Sequence, residues 1–308
     1  MKEKAEQGLC TLRRAPGSRG RVKDGPSVVI SRRWRAIFVS LGLAVLSLLD
    51  AGVAQFVYTL GDNNSFAQID VTNQRGMFNW SVDGLNVLNQ QWFWFRTTSS
   101  GPAAPINTIS APIAWMPYGA GGRALTAIYS NPGYNVRVDY LLSGGAMNTS
   151  GSSDMGETIT VNNTGTNTLS FHLFQYSNFG LSRAQDTVQL GKNLRGLYNE
   201  AIQNSGPGLN LTETVVTPGA NHGEAAPVGA TLAEMASPAF VTLTDNAGPV
   251  GPGDVTWAFE WDLSIVPGGS TVISKDKFVQ LSLIPEPSSL LLGVVGLLVL
   301  ARKRRQPG

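Results

Sequence analysis

Cysteine is almost missing from this chain of 308 residues, in which Cys10 is the only example. The chain after residue 54 has none, so a disulfide framework, a thiolate metal site and a cysteine nucleophile are all excluded there. Histidine is nearly as scarce, with two residues. A chain of this length does not need disulfides, because it is long enough to bury a sizeable hydrophobic core.

Charged residues are also few, at 14% of the chain, and they are unevenly distributed. The net charge of +2 comes from the two ends, because residues 55–287 hold 9 Lys and Arg against 17 Asp and Glu. Binding to nucleic acid rests on clustered Lys and Arg side chains that neutralise phosphates. The acidic middle of the chain therefore argues against a nucleic-acid partner.

Recognisable catalytic motifs are missing as well. The sequence contains neither the HExxH motif of zinc proteases nor the GxSxG motif of serine hydrolases. The glycine-rich stretch 119–124 fits a dinucleotide fingerprint only loosely and is not followed by the required helix, so we predict a loop. His222 is expected to be a solvated loop residue and His172 an ordinary strand residue. We therefore predict no catalytic residue, no resident cofactor and no enzymatic activity.

Carboxylates leave two alternatives open. Glu260 and Asp262 share one face of a predicted strand, and glycosidic cleavage needs two carboxyls about 5 to 10 Å apart. They alternate with tryptophans, so we expect them on an outward, solvated face. Calcium prefers hard oxygen ligands. The aspartates near predicted turns that could supply them are Asp62, Asp154, Asp245 and Asp254.

The C-terminal segment 284–308 joins a Pro-Glu-Pro triplet to an apolar run and then to a basic cluster. The apolar run 288–301 would form a helix of roughly 21 Å, which is short for a hydrocarbon core of about 30 Å. We predict a short transmembrane helix, and an amphipathic or buried helix is the alternative. The basic residues that would stay on the cytoplasmic side are Arg302, Lys303, Arg304 and Arg305.

The N-terminal region has the composition of a signal peptide over residues 32–54. A basic start precedes the apolar stretch 36–49, and small residues precede a predicted cleavage between Ala54 and Gln55. A membrane anchor is the alternative. The polar, basic segment 1–31 is long for the start of a signal peptide, and we interpret it as a start codon assigned too far upstream.

The order of triplet, apolar run and basic end resembles the PEP-CTERM sorting signal of exported proteins in Gram-negative bacteria. The sorting motif is Pro285, Glu286 and Pro287. The resemblance implies transient residence in the inner membrane, recognition by an exosortase-type processing enzyme, and release or attachment of the body at the cell surface or in the extracellular matrix. Three stretches of the body, 76–96, 156–181 and 245–270, also resemble uncharacterised exported proteins of this kind.

The body, 55–283, is dominated by a hydrophobic period of two. In 255–265 each large apolar residue alternates with a small or polar one, which is typical of a half-buried antiparallel strand. Similar runs are expected at 66–71, 91–96, 134–142, 158–161, 168–176, 209–216, 240–243 and 278–283. Two stretches, 187–203 and 230–236, are expected to be loop or short helix. The pattern predicts a mainly β protein, an antiparallel, jelly-roll-like β-sandwich.

Aromatic residues suggest a ligand. Trp92 and Trp94 would share one face of a strand and could stack on sugar rings of an exopolysaccharide, although core packing is the alternative. We predict an exported structural, adhesive or carbohydrate-associated protein, with a secreted polysaccharide-acting hydrolase as the alternative.

Overall fold

The computed structural model describes residues 56–146, 150–206 and 208–281. The predicted leader 1–31, the signal segment 32–54 with its cleavage at Ala54 and Gln55, and the sorting segment 284–308 lie outside these described residues. Across the described ranges, no helix is long and apolar enough to cross a membrane.

Strands account for most of the described residues, which form seventeen of them. In chain order they are β1 Val57–Asp62, β2 Ser65–Asp70, β3 Gly76–Val82, β4 Leu85–Asn86, β5 Leu88–Arg96, β6 Ala104–Pro105, β7 Ile113–Trp115, β8 Ala124–Ser130, β9 Tyr134–Gly144, β10 Ser152–Asn163, β11 Leu169–Phe179, β12 Asp186–Lys192, β13 Tyr198–Ser205, β14 Leu209–Thr217, β15 His222–Pro227, β16 Val255–Ile265 and β17 Ser270–Leu281. A 3-10 turn covers Ile106–Thr108, and the helix α1 covers Ala230–Met235.

These strands build two sheets. The first sheet has the order β1-β2-β3-β5-β11-β16-β15, with β4 added to β3 and β6 added to β5. The second sheet has the order β12-β13-β14-β17-β10-β9-β8-β7. The predicted antiparallel β-sandwich is confirmed. With 9 and 8 strands in its sheets, it is larger than the jelly roll suggested by the alternation, which has about eight strands in all.

The two sheets meet through large aromatic side chains. On β16 the Trp257 indole donates a hydrogen bond to Glu213 Oε2 of β14, across the sandwich, at 2.8 Å. Trp257 also stacks on Phe179 with ring centroids 5.4 Å apart. Trp80 of the first sheet donates to Ser153 Oγ of the second at 3.0 Å. Because side chains alternate along a strand, these contacts define which face of the first sheet points inward.

One close approach requires a glycine. The parallel pairing of β3 with β5 is limited to Gly76 and Met77 opposite Gln91. Gly76 has φ +58°, and a Cβ there would lie 2.3 Å from a ring carbon of Trp92 and 2.4 Å from the Gln91 carbonyl oxygen. Any side chain at position 76 would force these strands apart.

Three local predictions have clear outcomes. The segment 230–236 contains helix α1, as expected. The segment 187–203 is not loop or helix but the hairpin of β12 and β13, which pair antiparallel. The predicted strand 240–243 is wrong, because the backbone there bonds to side chains of the first sheet instead of to a neighbouring strand.

Candidate functional site

The outer face of the first sheet, which points away from the second sheet, carries both histidines of the chain and several carboxylates. Gln175 of β11 reaches inward to Glu213, so His172, three positions away, lies on the opposite face. On β16, Trp257 points inward, and Glu260 and Asp262 therefore share the outer face with His172. The strand register places His172 opposite Asp262 and His222 opposite Glu260.

Trp92 and Trp94 are not available to stack on a sugar. Trp92 is 1% exposed and Trp94 is 5% exposed. Trp92 packs edge-on against Tyr129 and Trp94 edge-on against Tyr176. The stacking hypothesis is therefore corrected in favour of core packing, because neither indole offers the open face that a ligand ring needs.

Five side chains form the feature that we call the histidine–carboxylate cluster: His172, His222, Asp245, Glu260 and Asp262. His172 Nδ1 donates to Asp262 Oδ1 at 2.5 Å and lies 3.6 Å from Glu260 Oε1. His222 Nε2 lies 3.5 Å from Asp262 Oδ2. The cluster thus brings two imidazoles onto one carboxylate with a second carboxylate beside it.

The second histidine, His222, is held in place by Asp245. His222 Nδ1 donates to Asp245 Oδ2 at 2.9 Å, and the backbone N–H of Gly223 donates to the other oxygen of Asp245 at 3.3 Å. His222 lies in strand β15, so the prediction of a solvated loop residue is wrong. An imidazole whose Nδ1 proton is bound to a carboxylate presents Nε2 toward the rest of the cluster.

Glu260 is the buried member of the cluster, at 1% exposure. Its Oε2 accepts hydrogen bonds from the Thr242 hydroxyl at 2.8 Å and the Leu243 N–H at 2.9 Å. Its Oε1 has no hydrogen-bond partner among the described residues. Burial, together with the charge of Asp262, raises the pKa of Glu260 above its ordinary value. The prediction that Glu260 lies on a solvated face is therefore wrong, whereas Asp262 is exposed as expected.

A cover segment, residues 230–246, lies over the outer face beside the cluster. Arg96 of β5 donates to the carbonyl oxygens of Phe240 at 3.3 Å and of Val241 at 2.6 Å. Phe240 packs on Phe174 of β11 with centroids 5.4 Å apart. The next residue pair, Thr242 and Leu243, bonds to Glu260. Arg96 and Glu260 thus both fix the cover segment to the first sheet.

A carboxyl pair joins the same segment to β15. Glu224 of β15 is buried and accepts hydrogen bonds from Thr231 at 2.5 Å and from the Thr244 hydroxyl at 2.6 Å. Burial would raise the pKa of Glu224, but these hydrogen bonds outweigh it and lower the pKa. Burial and the hydrogen bond with Glu224 raise the pKa of Glu234, on α1, to about 7. The pair therefore shares one proton near neutral pH.

The cluster also contains a possible metal-ligand set. His172, Glu260 and Asp262 each offer one ligand atom, and these atoms lie within 4.8 Å of one another. One imidazole nitrogen and two carboxylate oxygens suit a divalent transition metal. The four aspartates proposed for calcium are not gathered into such a group in the described part of the chain.

Comparisons with known proteins identify the fold. No protein-family profile matches the chain, and no curated protein sequence matches it. Among solved structures, a putative aldose 1-epimerase from Escherichia coli K12 superposes with a TM-score of 0.51 at 11% identity, over 74% of this chain and 100% of that one. A galactose mutarotase related enzyme from Lactobacillus acidophilus superposes with a TM-score of 0.50 at 8% identity, over 74% of this chain and 100% of that one.

These likenesses concern the fold, at identities of about 10%. They nevertheless overturn one prediction. The missing motifs led us to expect a protein without enzymatic activity, and that inference is wrong, because motifs of other folds say nothing about a site assembled on this one. The chain has a two-sheet fold similar to that of proteins described as aldose epimerases and mutarotase relatives.

Proposed function

We propose that the chain acts on an aldose or on an aldose end of a saccharide, by general acid–base catalysis at the histidine–carboxylate cluster. The observation that carries this proposal is Glu260. Its Oε1 is buried without a hydrogen-bond partner among the described residues and lies 3.6 Å from His172. A buried carboxyl with an open oxygen beside a carboxylate-bound imidazole is the arrangement that proton transfer requires.

The proposed reaction is opening and reclosure of the sugar ring. Glu260 Oε1 takes the proton from the anomeric hydroxyl, because its raised pKa makes it a stronger base than an exposed carboxylate. His172 donates a proton to the ring oxygen. The bond from the anomeric carbon to the ring oxygen breaks and a carbonyl forms. Rotation of this carbonyl and reversal of both proton transfers give the other anomer.

The remaining cluster residues position the two proton-transfer groups. Asp262 fixes the ring of His172 through a hydrogen bond to Nδ1. Asp245 holds His222 in the same way, so that its Nε2 faces Asp262.

The test is mutarotation of freshly dissolved α-D-glucose and α-D-galactose, followed by polarimetry against the buffer rate. We expect the wild-type chain to accelerate the change, and Glu260→Gln and His172→Asn to reduce kcat/KM by about 10²- to 10⁴-fold. Asp139→Asn is the matched control. It neutralises an aspartate of the second sheet that pairs with Arg137 at 2.8 Å. No acceleration by folded wild type, or equal rates for Glu260→Gln and wild type, would refute the proposal.

A second candidate is metal-assisted chemistry on a saccharide, including hydrolysis, because the three ligand atoms of His172, Glu260 and Asp262 lie together. His172 and the two carboxylates would hold the ion, and Asp245 would orient His222 behind them. Activity lost on chelation and restored by a divalent ion would favour this candidate. Activity that does not change when a chelator is added would favour the acid–base mechanism instead.

We also propose that the protein is exported and sorted through Pro285, Glu286 and Pro287, with processing by an exosortase-type enzyme. Support comes from the resemblance of the C-terminal segment to PEP-CTERM signals and from the signal-peptide composition of residues 32–54. The carbohydrate would then be a neighbouring exopolysaccharide. Fractionation of the host with and without its sorting enzyme, with mass analysis of the mature C-terminus, tests this. An intact chain in the cytosol would contradict it.

A further inference from the structure

The second sheet holds four charged side chains that the proposed function does not use. Lys275 and Lys277 of β17, Glu157 of β10 and Glu213 of β14 are each fully buried in the sandwich. We call them the buried lysine–glutamate cluster. Charged groups are very rarely buried so completely, because removal from water is costly for each ion.

The strand register brings the four groups together. Glu157 is directly opposite Lys275 in the pairing of β10 with β17. Glu213 is directly opposite Lys277 in the pairing of β14 with β17. Lys275 Nζ contacts Glu157 Oε2, and it lies 3.3 Å from Glu213 Oε1 and 4.9 Å from the ring centre of Phe93. The Lys275 amine, the Glu157 carboxyl and the Glu213 carboxylate therefore lie together inside the sandwich, beside the ring of Phe93.

The two lysines are not equivalent. Burial and the neighbouring charge of Lys277 lower the pKa of Lys275 to about 8. Burial would also lower the pKa of Lys277, but the attraction of Glu157 and Glu213 outweighs it and raises the pKa. Lys275 is thus the lysine that gives up a proton to become a neutral amine, while Lys277 remains an ammonium 2.7 Å from Glu157 Oε2.

We propose that Lys275 and Glu157 condense to an amide, which covalently joins β17 to β10. The Lys275 nitrogen attacks Cδ of Glu157, and Lys277 stabilises the negative oxygen of the tetrahedral intermediate. The nitrogen starts with three protons and keeps one. Glu213 accepts a proton from it and passes it on, and two protons leave with one Glu157 oxygen as water. No oxidant or other reactant is needed.

The charges before and after the reaction favour this product. The ammonium and the carboxylate that react have opposite charges, so the amide is neutral and the net charge of the cluster is unchanged. Two buried ions are replaced by one polar group, and Lys277 remains paired with Glu213. Glu213 is already oriented for its part by hydrogen bonds from Gln175 at 2.7 Å and Trp257 at 2.8 Å.

The test is tryptic peptide mapping of the full chain purified from its host. Glu157 lies in fragment 138–183, and Lys275 ends fragment 196–275. Because trypsin does not cleave after an acylated lysine, the fragment with Lys275 then extends to Lys277. We expect 138–183 joined to 196–277 in one branched peptide, lighter than the sum of these two fragments by one water molecule. The Glu157→Ala variant should release fragments 138–183 and 196–275 separately. It also shows how readily trypsin cleaves after Lys275 when the lysine is unmodified. Fragments found separately in wild type, as from an ion-pair network only, would overturn the proposal.

A second variant tests the assigned roles. Glu213→Gln keeps both reacting side chains and removes the proton acceptor, so we expect the branched peptide to be lost. Native circular dichroism of this variant shows whether the sandwich has formed. A branched peptide of wild-type yield in Glu213→Gln, or one joined through Lys277, would overturn the assignment of Glu213 as proton acceptor or of Lys275 as nucleophile.

Discussion

The histidine–carboxylate cluster and the buried lysine–glutamate cluster use similar chemistry in opposite surroundings. The first lies on the outer face of the first sheet and grades from buried Glu260 to exposed Asp262 and Asp245. The second lies inside the sandwich with every member fully buried. The first cluster therefore has members that solvent can reach, whereas enclosure limits the second to reactions among its own members. The degree of burial, more than the types of residue, therefore distinguishes the histidine–carboxylate cluster from the buried lysine–glutamate cluster.

The largest expected effect is a loss of stability when one charge of the buried lysine–glutamate cluster is removed. Glu213→Gln leaves buried positive charge without its partner, which costs about 3 to 5 kcal/mol in the free energy of unfolding. Urea denaturation followed by tryptophan fluorescence measures this. Glu200→Gln is the matched control on neighbouring strand β13, where the residue is half-buried and the change should be within about 0.5 kcal/mol. Equal losses of stability in Glu213→Gln and Glu200→Gln would show that the buried cluster has no special energetic role.

A similar loss of stability is expected when an aromatic side chain beside the histidine–carboxylate cluster is removed. Trp94→Ala removes a ring that is 5% exposed and packed on Tyr176, at a cost of about 3 to 5 kcal/mol. Trp115→Ala is the control, because Trp115 is 41% exposed on edge strand β7. Chemical denaturation compares the two. A stable Trp94→Ala protein that has lost binding to polysaccharide would restore the stacking hypothesis.

A smaller effect concerns pH and the carboxyl pair under the cover segment. The pKa of Glu234 is raised to about 7 in the folded chain, above the ordinary value near 4.3 expected in the unfolded chain. The folded state binds the proton more tightly, so the contribution of Glu234 to stability is full below about pH 4 and is lost as the pH rises to 7. Glu234→Gln keeps a hydrogen-bond donor without a titrating proton. The fall in stability between pH 5 and 8 should be smaller in this variant than in wild type.

The smallest effect is expected at the exposed edge of the histidine–carboxylate cluster. Asp245→Asn weakens the bond to His222, where both side chains are partly exposed, and should lower stability by less than about 1 kcal/mol. The same variant should lower kcat for mutarotation more than it raises KM, because Asp245 positions an imidazole and does not bind substrate. An unchanged kcat would show that His222 lies outside the reaction.

The sequence predicted those elements whose signal is local. The alternation in 255–265 predicted β16 because each inward position carries a large apolar side chain. The hairpin of β12 and β13 was missed, because 187–203 was expected to be loop or short helix. Gly196, at φ +79°, instead forms the turn between two short alternating runs. The stretch 240–243 was misread as a strand because its backbone partners are Arg96 and Glu260, which are distant in sequence.

The two clusters could not be predicted, because their members are distant in sequence. His172 and Asp262 are 90 positions apart and meet through the register of β11 with β16. Lys275 and Glu157 are 118 positions apart and meet through the register of β17 with β10. One signal was present in the sequence: Lys275 and Lys277 occupy the same strand face as Ile273 and Val279, where an apolar residue is expected. A cation at an inward position marks a buried partner of opposite charge.

The attachment of the cover segment has a consequence for ligand control. Arg96 and Glu260 bind consecutive peptide groups between Phe240 and Leu243. Glu260, the proposed acceptor of the substrate proton, therefore also holds the cover segment in place. Proton uptake at Glu260 weakens the bonds it accepts from Thr242 and Leu243. By thermodynamic reciprocity, detachment of the cover segment from Glu260 would shift the proton affinity of Glu260 by an equal free energy. Under the proposed mechanism, protonation of Glu260 and detachment of the cover segment are therefore linked.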